Sequence, residues 1–431
     1  MKWGYRPLRA EIFYFLSNRT GEFIFLPAQT KKRMKYRIFH LLMGIIFLFP
    51  ATACAQEDQV IKVSYGEIVP GDARLDLYLP LIQNKNVALV ANHTSIIGKT
   101  HLADTLVSLG IRVKTIFTPE HGYRGDVAEG EAIDNTKTAG TNIEVVSLYG
   151  KKKKPSGSDL KGIQAVVFDL QDVGARFYTY LSTLTLVMEA CAEHHIPLIV
   201  LDRPNPNGFY IDGPVLDTAY RSFVGMHPIP VVYGMTIGEF ARMVNGEGWL
   251  ANGLHCDLTV IPLKKYTRNM IVSLPVKPSP NLPDWRSMYL YPSLCFFEGT
   301  VVSVGRGTPT PFQIYGFPGI TYGDYSFVPR AGAVSKHPKL MDKTCYGENL
   351  SRYAEQYKTN PKRLNLSWLI RAYNDLKKSS TFFNGYFDTL AGTDRLRRQI
   401  ETGMSEKEIR QSWQKDLSHF KKIRKKYLLY P

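Results

Sequence analysis

Between residues 85 and 265, short apolar runs alternate with segments of helical periodicity, and this alternation most constrains the fold. Three of the runs are NVALVAN, RVKTIFTPE and GIQAVVFDLQDVG, and two of the helical segments are THLADTLVSLG and MTIGEFARMVNGEGWL. We expect Thr236 to be the N-cap of one helix and Gly110 to end another. Apolar strands that alternate with amphipathic helices predict an α/β fold, with a mostly parallel sheet covered by helices on both faces.

The texture of the sequence changes near residue 266, where proline and aromatic residues become dense and further helical segments follow. We therefore expect an α/β domain over residues 64–265 and a second, smaller α+β domain over residues 266–431. The segment 274–318 is predicted to be a loop that hangs over a crevice of the first domain. The basic C-terminal stretch KKIRKKYLLY is interpreted as a solvated helix end.

The segment 34–55 has the plan of a secretory signal peptide, with a basic stretch, an apolar run over residues 38–49 and small residues near Ala55. Because about thirty residues precede it, we expect residues 1–33 to be an over-extended gene-model start. Cleavage is predicted either before Cys54, which would then carry a lipid anchor, or after Ala55. The expected location is the periplasm or the outer membrane, as an anchored lipoprotein.

Several common site types have no signature in the sequence. No GxSxG elbow is present and no GxGxxG follows the first strand, which argues against a common serine hydrolase and against dinucleotide binding. The formal charge of +16 is not accompanied by a nucleic-acid-binding motif. We expect no cofactor, no metal and no nucleic-acid partner. The remaining cysteines are widely spaced and are expected to be small buried residues: Cys191, Cys256, Cys295 and Cys345.

Polar residues follow four of the predicted strands. In an open parallel sheet the ligand site lies beyond the carboxyl ends of the strands, so these side chains are expected to share one crevice. They are Asn92, His93, Glu120, His121, Asp169, Asp172, Asp202, Arg203 and Asn205.

Glu120 is the leading catalytic candidate, because a carboxyl group shielded at the end of a sheet has its pKa raised and can act as a general acid. His121 beside it could relay a proton or orient Glu120. The alternative is a loop carboxylate that forms a salt bridge with Arg124, which is itself a candidate for substrate binding.

Three further stretches carry candidate binding residues. FDLQDVGARFYTY holds Asp169, Asp172, Arg176, Tyr178 and Tyr180, which could bind hydroxyls and a carboxylate or could instead cap a helix and pair with each other. LDRPNPNG repeats the pattern of acid, arginine and asparagine. VGRGTPTPF places Arg306 between two glycines, where the backbone can approach a ligand closely.

The motifs TPEHGYRG, FDLQDVGARFYTY, DRPNPNG, YGMTIGEFA, SPNLP with YPSLCFFEGT, and SVGRGTPTPFQIYG occur in this order. Together they resemble the bacterial exo-β-N-acetylmuramidase family, long known only as a domain of unknown function, over residues 64–431. The resemblance implies a Rossmann-like N-terminal domain, a smaller C-terminal domain and a cleft between them. It also implies an exo-acting glycosidase that removes β-1,4-linked N-acetylmuramic acid from the non-reducing end of peptidoglycan fragments or disaccharides.

The family's Pro-Glu-His-Gly motif falls on residues 119–122, which supports Glu120 as the catalytic acid. A glycosidase ordinarily needs a second group, and Asp172 is the first choice, with Glu129 and Asp202 as alternatives. The substrate's own 2-acetamido group could serve instead. An arginine is expected to bind the lactyl carboxylate of muramic acid, and Tyr178 and Tyr180 to stack on the sugar. The candidate arginines are Arg176, Arg203 and Arg306.

Two other functions remain open at this level. An esterase or amidase would need a nucleophile with a base, and the sequence shows no convincing Ser/His/Asp set. An exported, non-catalytic sugar-binding lipoprotein would use the same acids and arginines. The fold alone does not decide between these functions. Replacing Glu120 by Gln does, because an enzyme would lose catalysis whereas a binding protein would keep its affinity.

Overall fold

The computed structural model describes residues 63–64, 67–124, 136–137, 143–356, 363–378 and 380–431. The segment 34–55 with Cys54 lies outside the described residues, and so does Glu129. Within the described residues, no helix has the length and apolarity needed to cross a membrane.

The strands are listed here in chain order: β1 (Val63–Ser64), β2 (Asn86–Ala91), β3 (Ile96–Ile97), β4 (Thr100–His101), β5 (Arg112–Thr118), β6 (Thr136–Lys137), β7 (Glu144–Ser147), β8 (Ala165–Asp169), β9 (Leu198–Leu201), β10 (Asp212–Val215), β11 (Pro230–Val232), β12 (Leu258–Ile261), β13 (Ile271–Val272), β14 (Ile314–Phe317), β15 (Tyr325–Phe327) and β16 (Cys345–Asn349).

The α-helices are α1 (Leu75–Ile82), α2 (Leu102–Ser108), α3 (Tyr180–Glu193), α4 (Ile237–Gly246), α5 (Trp285–Leu294), α6 (Ser351–Glu355), α7 (Ser367–Leu376), α8 (Phe387–Ala391), α9 (Arg395–Glu401), α10 (Glu406–Ser412) and α11 (Gln414–Lys425).

The main sheet has the strand order β12-β9-β8-β2-β5-β7-β6, and all its pairs are parallel except β6 with β7. The chain builds outward from β2 through β5 to β7, then returns to the other side of β2 and builds outward through β8 and β9 to β12. This is the strand order of a Rossmann-like doubly wound sheet. Its crevice lies where the order reverses, beyond the ends of β2 and β8.

Alternate residues of the central strands enter two different cores. Val87 and Leu89 of β2 pack with helices α1 and α2, whereas Ala88 and Val90 pack with α3 and α4. Because side chains point to opposite faces of a strand in turn, both faces of the sheet are covered, as the apolar runs predict. Helix α4 begins at the predicted cap, since the Thr236 side chain accepts a hydrogen bond from the Glu239 amide within a capping box.

The C-terminal part contains a three-stranded antiparallel sheet, β14-β16-β15, and helices α5–α11, which confirms the predicted α+β character. Apolar residues of α5, α7, α8 and α9 belong to the same buried cluster as those of α3 and α4. The two parts of the chain therefore share a continuous core.

The C-terminal stretch is more than a solvated helix end, and that interpretation is corrected. The Tyr430 hydroxyl donates to Asp202 at 2.5 Å and accepts from the Leu263 amide at 2.8 Å. The Arg268 guanidinium donates to the Tyr430 carbonyl at 3.0 Å. The lysines of α11 stay exposed, but the last residues fasten the C-terminus to the parallel sheet.

Candidate active site

A tight turn after β5 presents Glu120. His121 and Gly122 both have a φ of +73°, and the Gly122 amide donates to the Pro119 carbonyl at 3.2 Å. A left-handed conformation is costly for a residue with a Cβ, and such strain is concentrated at functional sites. The turn reverses the chain directly beyond the strand end and leaves Glu120 half-buried in the wall of a cleft.

The cleft has two adjoining chambers. Counted together with the open solvent at their mouths, the inner chamber has a volume of about 450 Å³ and the outer chamber one of about 960 Å³. Five residues line both chambers and so form the junction between them: Glu120, Phe177, Thr179, Tyr291 and Arg306. A carboxyl group at this junction is accessible from both chambers.

Aromatic side chains wall the inner chamber. Tyr178 and Tyr180 pack edge to face with centroids 4.7 Å apart, and Tyr178 donates to the Pro278 carbonyl at 2.8 Å. Asn92 is fully buried and donates to the Tyr180 hydroxyl at 2.8 Å, so it positions this wall and does not line the chamber. Burial raises the pKa of both tyrosines far above the working range, and their hydroxyls stay neutral donors.

His121 lines the inner chamber beside Glu120 and is buried. Its Nε2 lies 3.4 Å from the Ser279 hydroxyl, on the segment between β13 and α5. The geometry keeps both predicted roles for His121 open, since the ring lies next to Glu120 along the chain and reaches the same chamber.

Glu298 is a second carboxylate of the cleft that sequence reasoning missed. It lies in a short 3₁₀ helix, Cys295–Gly299, and lines the outer chamber together with Glu120. Arg306 Nε donates to its Oε1 at 2.6 Å. The signal was present in the sequence as a single acid inside the aromatic run YPSLCFFEGT.

Arg306 is placed by its flanking glycines. Gly305 and Gly307 have φ values of +77° and +78°, and a Cβ on them would lie 2.4 Å from the Ile314 side chain and the Arg330 carbonyl, respectively. The glycines are thus required by the protein's own packing and not by a ligand. The guanidinium of Arg306 also lies 4.9 Å from the centroid of the Phe312 ring.

The electrostatics of Glu298 combine opposing effects. Burial raises the pKa of Glu298 to about 7, the Lys339 ammonium and the Cys295 thiol act to lower it, and the charge of Glu120 acts to raise it. The ion pair with Arg306 favours the charged carboxylate. Lys339 Nζ lies within 2.6–3.2 Å of four backbone carbonyls of residues 297–302, so it holds the backbone that carries Glu298.

The predicted site residues Asp169 and Arg203 form a buried ion cluster with Asp72. Arg203 Nε donates to Asp169 Oδ1 at 2.6 Å, and its Nη2 donates to Asp72 Oδ2 at 2.6 Å. Both carboxylates are fully buried. The arginine fork is therefore occupied inside the protein and does not face either chamber.

Asp202 and Asn205 also serve the framework. Asp202 accepts hydrogen bonds from the Gly238 amide at 2.8 Å and the Thr236 hydroxyl at 2.7 Å, which ties β9 to the start of α4. Asn205 donates to the Met235 carbonyl at 2.7 Å and accepts from the Asn207 amide at 2.7 Å, which shapes the loop after β9.

Arg176 joins the two parts of the chain. Its Nη1 donates to the Pro214 and Ile229 carbonyls at 2.9 and 2.8 Å, and its Nη2 donates to the Leu390 and Ala391 carbonyls at 3.0 and 2.6 Å. The side chain is 1% exposed, so no substrate carboxylate reaches it in this arrangement.

Asp172, predicted as the second catalytic group, is buried away from the chambers. Its Oδ2 accepts hydrogen bonds from the Gly174 amide at 2.7 Å and from the Tyr233 hydroxyl. Burial raises the pKa of Asp172 to about 7. It does not line either chamber in the described structure, which leaves Glu298 better placed beside Glu120.

His93 and Arg124 lie at the edge of the region. His93 Nε2 lies 2.9 Å from the Lys277 carbonyl, and burial lowers the pKa of the ring. Arg124 is exposed. Neither residue lines the two chambers, so their predicted binding roles stay predictions.

The segment 274–318 lines the cleft as expected, through residues such as Ser279, Asn281, Tyr291 and Arg306. It is not a plain loop, because it contains α5, the 3₁₀ helix and strand β14. This wall places Arg306 and Glu298 in the same cleft as Glu120.

Comparison with known proteins decides the family. Two family models match consecutive parts of the chain. The model of the N-terminal domain of exo-β-N-acetylmuramidase NamZ matches residues 87–286, and the model of its C-terminal domain matches residues 289–430. The peptidoglycan β-N-acetylmuramidase NamZ of Bacillus subtilis (strain 168) is 37% identical, over 92% of this chain and 100% of the relative. The chain belongs to the exo-β-N-acetylmuramidase family.

Two solved structures are similar to this family member over most of its length. Both are DUF1343 family proteins of Bacteroides fragilis, with TM-scores of 0.77 and 0.73 at 44% and 27% identity. Each alignment covers 85% of this chain, and 99% and 100% of the neighbours. Family membership and the sheet order confirm the resemblance and the predicted fold class, whereas the predicted domain boundary near residue 266 stays a prediction.

Proposed function

We propose that this exo-β-N-acetylmuramidase family member removes β-1,4-linked N-acetylmuramic acid from the non-reducing end of peptidoglycan fragments, with Glu120 as general acid. The protein is a peptidoglycan glycosidase by family. One observation carries the residue assignment: Glu120 lines both chambers at their junction. A glycosidic oxygen between a sugar in each chamber would lie beside this carboxyl group.

Glu120 would donate its proton to the leaving oxygen as the bond to the anomeric carbon breaks. Positioned proton transfer of this kind contributes about 10²–10⁴-fold to the rate. His121, buried beside Glu120 in the inner chamber, would orient the carboxyl group or return its proton.

The second catalytic role fits Glu298 or the substrate itself. Glu298 shares the outer chamber with Glu120, and its ion pair with Arg306 favours the ionised form. As a carboxylate, Glu298 would stabilise the positive charge that develops at the anomeric carbon, or would attack that carbon as the nucleophile. If the 2-acetamido oxygen attacks instead, an ionised Glu298 would orient the amide.

Of the three candidate arginines, Arg306 is the one that lines the cleft. The Arg176 guanidinium donates to backbone carbonyls, and the Arg203 guanidinium is paired with buried carboxylates. Recognition of the lactyl carboxylate is therefore proposed for Arg306, and packing of the sugar ring for Tyr178 in the inner wall.

We also propose that the protein is exported and acts outside the cytoplasm. The support is the segment 34–55, with its basic, apolar and small-residue parts, and the location of peptidoglycan itself. Mass analysis of the mature protein from its native cells tests this. A mature protein that begins at a lipidated Cys54 is an anchored lipoprotein, and one that begins at Gln56 has been cleaved without lipidation. A protein that still begins at Met34 contradicts the proposed export.

The activity test compares a chromogenic β-N-acetylmuramic acid glycoside with its N-acetylglucosamine counterpart, using the wild type and Glu120→Gln. We expect release from the muramic substrate alone, and a loss of about 10²–10⁴-fold in the variant. A sugar-binding protein would release neither chromophore and would keep its affinity in the variant. Release from the muramic substrate by both proteins would remove Glu120 from the acid role.

A further inference from the structure

A run of four lysines, as at residues 151–154, is typical of a solvated loop, but these lysines have different surroundings. Lys152 pairs with Asp159 at 2.9 Å, and Lys154 pairs with Glu193 at 2.7 Å. Lys153 instead lines the outer chamber, with its Nζ 4.7 Å from the centroid of the Phe223 ring. In the part of the chain that the structure describes, Lys153 forms no salt bridge.

The two chambers differ in how a glycan could occupy them. Buried aromatic side chains line the smaller inner chamber, whereas the larger outer chamber is rimmed by exposed residues, among them Lys153 and Tyr386. An exo-acting enzyme has no chain to accommodate beyond the sugar that it removes. That sugar therefore fits the inner chamber, and the rest of the glycan leaves through the outer one.

We propose that the outer chamber is an aglycone subsite for an anionic glycan, and that Lys153 binds a carboxylate carried by this leaving part. The inference rests on the proposed function, because the chambers become subsites only if Glu120 is the acid between them. The carboxylate belongs either to the lactyl group of a later muramic acid residue or to its peptide stem.

Charge in the outer chamber favours this assignment. Glu120 and Glu298 contribute acids there, and Arg306 is paired with Glu298. Ionised Glu298 would repel a substrate anion, and its paired Arg306 is already engaged, so a separate cation is needed to bind the anion. Lys153 supplies that cation, and Phe223 beneath its ammonium group supplies a surface for the neighbouring sugar.

The test measures kcat/KM for wild type and Lys153→Met at low salt on three muramic substrates. One carries a neutral chromogenic aglycone, one carries GlcNAc–MurNAc with a free lactyl carboxylate, and one carries GlcNAc–MurNAc with a peptide stem. We expect the variant to lose about three- to fivefold through KM on an acidic aglycone, as an exposed ion pair allows, and less at high salt. Whichever acidic substrate shows the loss identifies the carboxylate.

Lys151→Met is the matched control, because Lys151 is exposed on the same run and does not line the cleft. An equal loss on the neutral aglycone, or no loss on either acidic one, would overturn the inference. Calorimetric binding of free GlcNAc–MurNAc to Glu120→Gln, with and without Lys153→Met, gives a readout that needs no turnover. If the wild type cleaves nothing but this affinity still depends on Lys153, the proposed function fails and the anion site stands.

Discussion

Two groups of charged residues near the ends of the parallel strands differ in what surrounds them. Asp72, Asp169 and Arg203 bind one another, with side chains 0%, 0% and 7% exposed. Glu298 and Arg306 also form an ion pair, yet their side chains are 24% and 20% exposed and line the outer chamber. Residue types are alike in the two groups, so access to the cleft, and not charge, separates the cluster proposed to act on substrate from the framework cluster.

The largest stability effect is expected for Arg203→Met. Removal of the arginine leaves two carboxylates buried without a counter-charge, and breaking a buried pair in this way costs about 3–5 kcal/mol. Urea denaturation measures the change in the free energy of unfolding. Arg306→Met is the comparison: its partly exposed pair should cost less than about 1 kcal/mol while activity falls. Equal stability losses in the two variants would erase the distinction between the clusters.

A smaller stability effect is expected for Tyr430→Phe. Tyr430 links the C-terminus to the buried framework residues. The change removes a hydroxyl that donates to buried Asp202 and accepts from the Leu263 amide. Asp202 keeps its hydrogen bonds from Thr236 and Gly238, but the Leu263 amide loses its acceptor, and an unsatisfied buried group costs about 1–3 kcal/mol. Tyr346→Phe, at a hydroxyl-bearing side chain that is 50% exposed, is the control and should melt like the wild type. If both variants melt alike, the C-terminal residues are not fastened as described.

The smallest expected effect is a shift in the pH dependence of kcat/KM in a variant of the cleft, Lys339→Met. The Lys339 ammonium lowers the pKa of Glu298, so Lys339→Met should raise that pKa. If the reaction needs ionised Glu298, the acidic limb of the profile of kcat/KM against pH moves to higher pH. Lys343→Met, on the same segment but exposed, should leave the limb unmoved. A limb that stays in place in Lys339→Met would separate Glu298 from the rate.

The elements of the sheet and the position of Glu120 follow from sequence pattern. Apolar alternation, the Thr236 cap and the Pro-Glu-His-Gly turn are local features, and local propensity expresses them directly. The partners of Arg176 and Arg203 are not local. Arg176 contacts carbonyls more than 200 residues away, at Leu390 and Ala391, and no short motif reveals such a contact.

Glu298 and Lys153 line the cleft, but their local sequence does not predict it. Glu298 is embedded in an aromatic run, which predicts a core, and Lys153 belongs to a run of four lysines, which predicts a solvated loop. Only the placement of the 3₁₀ helix and of the loop after β7 around one cleft brings them near Glu120. Arg306 was found because its flanking glycines mark an unusual backbone.

The most direct measurement compares Glu298→Gln with Asp172→Asn on the chromogenic muramic substrate, with melting temperature measured in parallel. The account predicts that Glu298→Gln loses about 100-fold or more in kcat/KM without a loss of stability, because it removes a charged group that lines the outer chamber together with Glu120. Asp172→Asn should keep activity within a few-fold, since Asp172 lines neither chamber and its carboxyl group accepts a hydrogen bond from Tyr233. Collapse of activity in Asp172→Asn, with Glu298→Gln close to wild type, would contradict the assignment of the cleft.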